Sequence, residues 1–448
     1  MTLVTSAEAA RDGASRAGDR VRSAVHWSIT HGLGRAVVRS AARRGDLQGR
    51  LTVGASGGGA VWDIIEQVRV AGPLSHSRIA YLTADHAVAR EVLSGPDFRS
   101  IGPEQIYGRV GRLAARTAGN AIHPIRPPSL LVVEPPEHTR YRKLVTRVFT
   151  ARAVEALRAR TEQIAAELLD RLDGLARSGN VDLVAAYCSQ LPVTVIAEIL
   201  GVPPRERGRV LVMGNAAAPS LDFGLSWSQF RTVNAGLRAF DVWLTEHLDR
   251  LRRKPGDDLF SQLIEASDSE GKLTEDELKA TAGLVLVAGF ETTVNLLGNG
   301  IALLNQHPDQ LERLRHEPEL WANTADEVLR LDPPVLMTGR ACLRATTVGG
   351  VEVPAGAGVI TILAGANRDP KVFDDPATFD VARPNARDHL SFSAGRHHCL
   401  GAQLARLEGE VGLRAIFERY PDLTLVPGAR RRPTRILRGW ATLPARLR

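Results

Sequence analysis

Residues 391–406 read SFSAGRHHCLGAQLAR, and the role of the cysteine in that stretch decides the fold. The chain carries three cysteines, Cys188, Cys342 and Cys399. They are widely spaced and odd in number, which argues against a disulfide framework and fits a reducing compartment. Cys399 could be a buried thiol, a zinc ligand, a nucleophile or an axial ligand. A zinc site wants several Cys or His ligands in spaced pairs. His397 and His398 directly precede Cys399, so they cannot readily close a tetrahedron with it, and the chain has no Cys-x-x-Cys. A nucleophile wants an orienting base, and nothing in the sequence picks one. The axial role fits better. Cys399 stands just before a helix predicted over about 400–419, where backbone N–H groups and the helix dipole favour a thiolate. Gly395 and Gly401 let the backbone approach a flat cofactor. A thiolate so placed suits the proximal position of haem iron, where it favours O–O cleavage.

A second stretch, LVLVAGFETTVNLLG at 284–298, is apolar on nearly all sides and is predicted to be a buried helix. Thr274 and Glu277 form a capping box at its start, Leu273 and Leu278 a hydrophobic staple, and Pro308 limits it to about Gln306. Glu291, Thr292 and Thr293 fall in its middle, where a carboxyl and two hydroxyls are costly unless hydrogen-bonded or used. A satisfied polar network and proton delivery to a bound species both remain open on this helix alone. Ala288 and Gly289 leave a small-residue gap for a ligand. In TADEVLRLDPP, 324–334, Glu327 and Arg330 share a helix face; such a pair is usually solvated and worth little.

The bulk properties set bounds. The 448 residues are 44% hydrophobic and 24% charged, as in ordinary globular proteins. The net charge is +7, but only five of the 57 basic residues are lysine. A GC-rich bacterial genome accounts for that bias, and no nucleic-acid motif or basic stripe is present. No signal peptide is visible, and the apolar run TAGLVLVAGF, 281–290, ends at Glu291, too short for a transmembrane segment. A cytoplasmic location is expected.

Residues 1–60 read as an N-terminal extension: a disordered start, a basic amphipathic helix or two at 21–45 interrupted near Gly32 and Gly34, and a Gly-rich linker at 54–59. Residues 61–448 read as one domain, mainly α with small β-sheets. SRIAYLT at 77–83, the Gly-punctuated 337–365 region and a C-terminal hairpin supply the strands.

At this point the residues carry a family resemblance. FSAGRHHCLG, 392–401, resembles the haem-ligand signature Phe-x-x-Gly-x-His/Arg-x-Cys-x-Gly of the cytochrome P-450 monooxygenases. AGFETT at 288–293 resembles the oxygen-activating part of that family's long central helix, and EVLR at 327–330 its Glu-x-x-Arg pair. EPPEHTRYRKLV at 134–145, ANRDP at 366–370 and FDVARPNARDHLSF at 379–392 resemble the bacterial branch, in order along the chain.

The resemblance implies the cytochrome P-450 fold, with haem b between the long central helix and the cysteine loop and its helix. It implies that Cys399 is the axial iron ligand, with Phe392 near the loop and Gly395 and Gly401 shaping it. His138, Arg142, Arg340 and His397 match positions that pair with the haem propionates, which need cations or N–H donors. Glu291 and Thr292 match the acid–alcohol pair that relays protons in oxygen activation, and Ala288 and Gly289 the groove beside it. Glu327, Arg330 and Arg383 match a buried structural triad, and Phe290 stands where a polar residue is common, adding apolar surface near the distal pocket. The activity implied is dioxygen-dependent hydroxylation or epoxidation of a medium-sized organic molecule, in secondary metabolism. Oxidative coupling, cyclisation or rearrangement without oxygen insertion is the alternative, and a non-catalytic haem sensor a further one. No flavin or nicotinamide fingerprint is present, so NAD(P)H electrons are expected to come through an external ferredoxin and ferredoxin reductase. Arg140, Arg142, Lys143, Arg147, Arg396 and Arg406 are expected to form a basic docking face on the cysteine side of a monomer. The substrate is expected to be bordered by 100–130, 212–230, 284–291, 335–339 and 436–440.

Overall fold

A computed structural model describes residues 18, 20–55, 60–101, 117, 123–146, 149–177, 179–222, 224–270 and 273–447. The helices that position the site are, in chain order, α1 (Leu33–Arg43), α2 (Leu47–Gly54), α3 (Ala60–Val70), α4 (His86–Ser94), α5 (Glu137–Thr146), α6 (Arg158–Ala176), α7 (Gln190–Ile199), α8 (Arg207–Ala217), α9 (Trp227–Arg253), α10 (Glu275–Gln306), α11 (Trp321–Leu331) and α12 (Ala402–Arg419). The apolar 284–298 stretch becomes the centre of α10, the axis of the molecule. Its start is the capping box read from the sequence: the Thr274 hydroxyl accepts from Glu277 N, and Glu277 returns a carboxylate to Thr274 N. Thr274 thereby satisfies otherwise orphaned N–H groups of the first turn. Its length and hydropathy would allow a membrane crossing, but most of its surface is buried inside the fold.

Around α10 pack residues of α6, α7, α8, α9 and α12 in one apolar cluster. A Cβ on Gly412 of α12 would lie 2.7 Å from Leu297 Cδ2, so that glycine lets the helix after the cysteine loop cross α10 closely. A five-stranded sheet lies to one side, built from β1 (Ser75–His76), β2 (Tyr81–Thr83), β3 (Phe98–Ser100), β4 (Thr338–Cys342) and β5 (Gly358–Thr361) in the order β1-β2-β5-β4-β3. SRIAYLT is not one strand. Ser77 turns the chain: its hydroxyl accepts from Ile79 N and Ala80 N, and its N–H bonds Ala80 O, so only 81–83 continue as strand. Short polar side chains offer this local alternative to a ladder. The C-terminal hairpin forms as expected, with Arg430–Arg431 paired to Trp440–Thr442.

The expected interruption near Gly32 and Gly34 does not occur. Residues 28–32 form a π-turn that runs directly into α1. A mid-helix glycine costs only about 1 kcal/mol, and packing overrides it: Trp27 covers Gly32, and Gly34 is buried. Leu51 and Ala55 share an apolar cluster with Ile65 and Leu82. Of the first 20 residues, expected to be disordered, Gly18 and Arg20 are helical; 1–17 and the linker glycines at 57–59 lie outside the described residues.

Candidate active site

The cysteine loop is held by a chain of buried polar contacts that begins on α11. Arg330 and Glu327 are fully buried, with Nε donating to Oε2 at 2.6 Å, and Arg383 Nε donates to Glu327 Oε1 at 3.3 Å. Arg330 also donates to the carbonyls of Asn367, Pro376 and Thr378. Asn367 in turn donates to Ser391 Oγ at 2.7 Å and accepts from Leu390 N at 2.6 Å. The loop then folds back so that Cys399 N donates to Phe392 O at 2.9 Å. Gly395 takes φ +68°, and a Cβ there would stand 2.7 Å from Ser94 Cα, so both backbone and space demand glycine. Gly401 has no such requirement: its φ is −87° and a Cβ would meet nothing within 4 Å. Phe392 is buried, with the Arg406 guanidinium 4.8 Å from its ring centre.

Cys399 is an exposed side chain although its sulfur lies deep among protein atoms. Burial pushes the thiol up, against the Gly401 N–H, Arg142 and Arg406. The dipole and donors expected to favour a thiolate are therefore outweighed here, and a metal cation at the sulfur would supply the charge that deprotonates it. Around Cys399 stand donors without an anion. His138 is buried with Nε2 unbonded, and burial holds it down to about 4. Its ring meets His397 edge-on at 4.6 Å. Arg340 is buried, bonded only to Gly339 O and Ser393 Oγ among the described residues, and burial lowers it to about 10. Arg142 has no carboxylate partner among the described residues, and burial lowers it, with only Cys399 acting the other way. A set of unpaired donors beside an open thiol fits a haem with two propionates. His397 departs from expectation by binding Glu134 Oε1 at 3.2 Å.

A second set of the expected site residues lies on α10. Between Ala280 and Leu304, only Leu284, Val285, Ala288, Gly289 and Thr292 keep accessible surface, and they form one stripe. Thr292 Oγ1 donates to Ala288 O at 2.9 Å, and Thr293 Oγ1 to Gly289 O at 3.1 Å. A Cβ on Gly289 would sit in ordinary contact with Ile196 Cδ1, at 3.5 Å, so its bare side meets α7. Phe290 is fully buried against Gly214 of α8 and adds no surface to the stripe, because the helix turns it to the opposite side. Glu291 is buried and does not bond Thr292. Arg432 from the C-terminal hairpin reaches its Oε1 at 2.8 Å, while Oε2 has no partner. Burial pushes Glu291 up to about 7 and Arg432 acts against it. Desolvation by a dry helix interface outweighs one partly exposed arginine, so the acid is shared between its two forms near neutrality.

Arg432 was invisible in the sequence, where it is one arginine in RRRPTRILR. Two more buried acids were missed: Glu408 of α12, pushed up to about 8 by burial, and Asp326, held down to about 2 by His389 and Arg406. Three of the six residues of the expected basic docking face are paired with acids. Arg140 pairs with Glu277, Arg396 with Glu134 and Arg406 with Asp326; Lys143 is exposed, and Arg147 lies outside the described residues. A cleft bordered by Phe149, Val154, Arg160 and Leu259 shares none of the predicted site residues.

Known proteins bear on this geometry. The family model described as Cytochrome P450 matches residues 227–444. A protein of Mycobacterium tuberculosis named putative cytochrome P450 140 is 53% identical over 431 residues, covering 95% of this chain and 98% of its own. The 6-deoxyerythronolide B hydroxylase of Saccharopolyspora erythraea is 43% identical over 326 residues, 70% of this chain and 76% of its own. The crystal structure of Mycobacterium smegmatis CYP164A2 superposes with a TM-score of 0.79 at 31% identity, over 90% of this chain and 99% of its own.

Proposed function

This chain belongs to the cytochrome P450 family, and from that premise we propose that it hydroxylates or epoxidises a medium-sized, largely apolar organic molecule in secondary-metabolite biosynthesis. It is an oxidoreductase of the monooxygenase class that uses haem b, dioxygen and electrons from NAD(P)H through redox partners. The observation that carries the reading is the pairing of the open Cys399 and its unpaired donors with the accessible stripe of α10 beside Glu291 and Thr292. The Saccharopolyspora relative is named for its macrolide-type substrate, which supports the substrate class.

Bound haem supplies the redox chemistry that activates dioxygen. Cys399 is assigned as its ligand. His138, Arg142 and Arg340 are assigned to its carboxylates, with His397 joining them through the shared His138 contact. Leu284, Val285 and Ala288 present an apolar wall that excludes water from the substrate side. The Thr292 hydroxyl, anchored on Ala288 O, keeps its own acceptor capacity toward that side. Glu291 holds and releases a proton behind it. Ferredoxin and its reductase are the proposed donors, and the chain is placed in the cytoplasm as a monomer.

Turnover under isotopically labelled dioxygen tests the reaction: one labelled atom in the product supports insertion, and an unlabelled coupled or rearranged product favours the alternative. Thr292→Ala is expected to keep electron consumption while lowering product per electron about tenfold or more. Unchanged coupling would remove the hydroxyl from the relay.

A further inference from the structure

Three distant parts of the chain gather around the N-terminal segment. Trp27 Nε1 donates to Leu225 O at 3.0 Å and Arg35 Nη1 to Gly224 O at 2.8 Å. The rings of His26 and His31 lie 5.9 and 5.5 Å from that of Phe230. From another direction Arg126 Nη2 reaches His26 Nε2 at 2.6 Å, and His26 Nδ1 meets Thr117 Oγ1 at 3.2 Å. Asp222 receives the N–H groups of Arg435 and Ile436, tying in the C-terminal turn.

The tautomers follow from the donors. A guanidinium only donates, so His26 Nε2 accepts and Nδ1 carries its hydrogen. His31 Nδ1 accepts from Leu225 N at 3.3 Å, and His123 Nδ1 from Ile125 N at 3.4 Å. Nε2–H of His31 and of His123 are then donors, and among the described residues neither has an acceptor. Arg126 has no carboxylate partner there either. The charged groups acting on His31 are His26, Arg126, Arg35 and Arg435, all basic, and those acting on His123 are Arg126, His31 and His26. Asp222, an acid of the same region, is committed to Arg435 and the turn. Burial with these cations pushes His31 down to about 4, and burial alone pushes Arg126 down to about 10. Yet Arg126, His31 and His123 all keep partial accessible surface. A deep arginine without an anion is costly, and a donor-rich, acceptor-poor site is what a planar carboxylate matches.

We propose that Arg126, with the Nε2–H groups of His31 and His123, is an anion-accepting site that holds the carboxylate of an otherwise apolar substrate. This rests on the reading of the chain as a monooxygenase of an organic substrate. The cluster joins 123–126, 222–230 and 435–436, next to Leu336, which donates its N–H to Ile436 O. Those segments coincide with three of the stretches assigned to border the substrate. The N-terminal segment thus contributes to specificity, through His26 and His31.

The test is calorimetry of haem-loaded protein at pH 7 with dodecanoate and, as the uncharged control, dodecanol. Arg126→Gln is expected to weaken dodecanoate about ten- to hundredfold, the loss of a charge-assisted pair, and to leave dodecanol within about twofold. Arg126→Lys, which keeps the charge, recovers part of the loss. An unchanged dodecanoate affinity, or an equal loss for both ligands, would overturn the site. The reduced carbon-monoxide spectrum of each sample separates the two readings. A haem-thiolate band with equal affinities sinks only the anion site, and no such band in the parent protein sinks the enzyme reading beneath it.

Discussion

Glu327→Ala is expected to destabilise the fold by about 3–5 kcal/mol, because it leaves the buried Arg330 charge unpaired. The effect should reach the cysteine loop. Arg330 holds Asn367 O, and the Asn367 side chain holds Ser391 Oγ and Leu390 N, two connections from the loop that carries Cys399. Glu312 and Arg315 provide the contrast. They have the same three-residue spacing and the same 2.6 Å separation, but their side chains are 52% and 43% exposed. Glu312→Ala should cost no more than about 1 kcal/mol, since solvent screens the pair and its side chains lose entropy in forming it. Urea midpoints of the two variants at pH 7 measure the difference. Equal, small shifts would mean that Glu327 and Arg330 do not organise the core.

Glu291→Gln should lower coupled product formation about hundredfold or more, the scale of a lost general acid, while leaving haem binding intact. A second readout does not depend on turnover. Burial raises this carboxyl from 4.5 to about 7 in the folded protein. The folded state therefore binds the extra proton between those values, and stability falls as pH rises through that window. Above pH 7 the parent protein carries a buried charge held by one arginine. Glu291→Gln should then be more stable than the parent by roughly 3 kcal/mol, and equal to it near pH 4, as the shift in proton affinity requires. Arg432→Gln removes the group that opposes the rise, so the pH limb assigned to Glu291 should move upward. Denaturation curves and pH–coupling profiles of the three proteins decide the matter. A profile unmoved by Arg432→Gln would dismiss that arginine as a positioning residue.

The central helix and the cysteine loop were legible because their signals are local. A capping box, an all-apolar run and a glycine forced by φ leave marks within a few residues, and Thr274, Leu286 and Gly395 sit where those marks place them. The Glu327–Arg330 pair shows the boundary of that method. Its spacing is local, but its burial depends on Asn367, Pro376 and Thr378, some 40 residues on, so the helix alone could not separate it from a surface pair. Arg432 and Arg126 were out of reach for the same reason. Each is one arginine among many, given meaning by a partner a hundred or more residues away, Glu291 for one and His26 for the other. The helix at 28–43 misled in the opposite direction: Gly32 and Gly34 suggested a break, but Trp27 and the protein body hold it continuous. The pairing of the docking arginines was equally out of reach, because the sequence displays Arg396 and Arg406 but not the Glu134 and Asp326 that neutralise them.

The most direct measurement is the reduced carbon-monoxide difference spectrum of the haem-loaded protein and its three single cysteine variants. Cys188 and Cys342 are buried, whereas Cys399 alone of the three is exposed. The parent, Cys188→Ser and Cys342→Ser should all give the red-shifted Soret band of a thiolate ligand, and Cys399→Ser should lose it. Retention of that band in Cys399→Ser, or its absence from correctly folded, haem-loaded parent protein, would contradict the account.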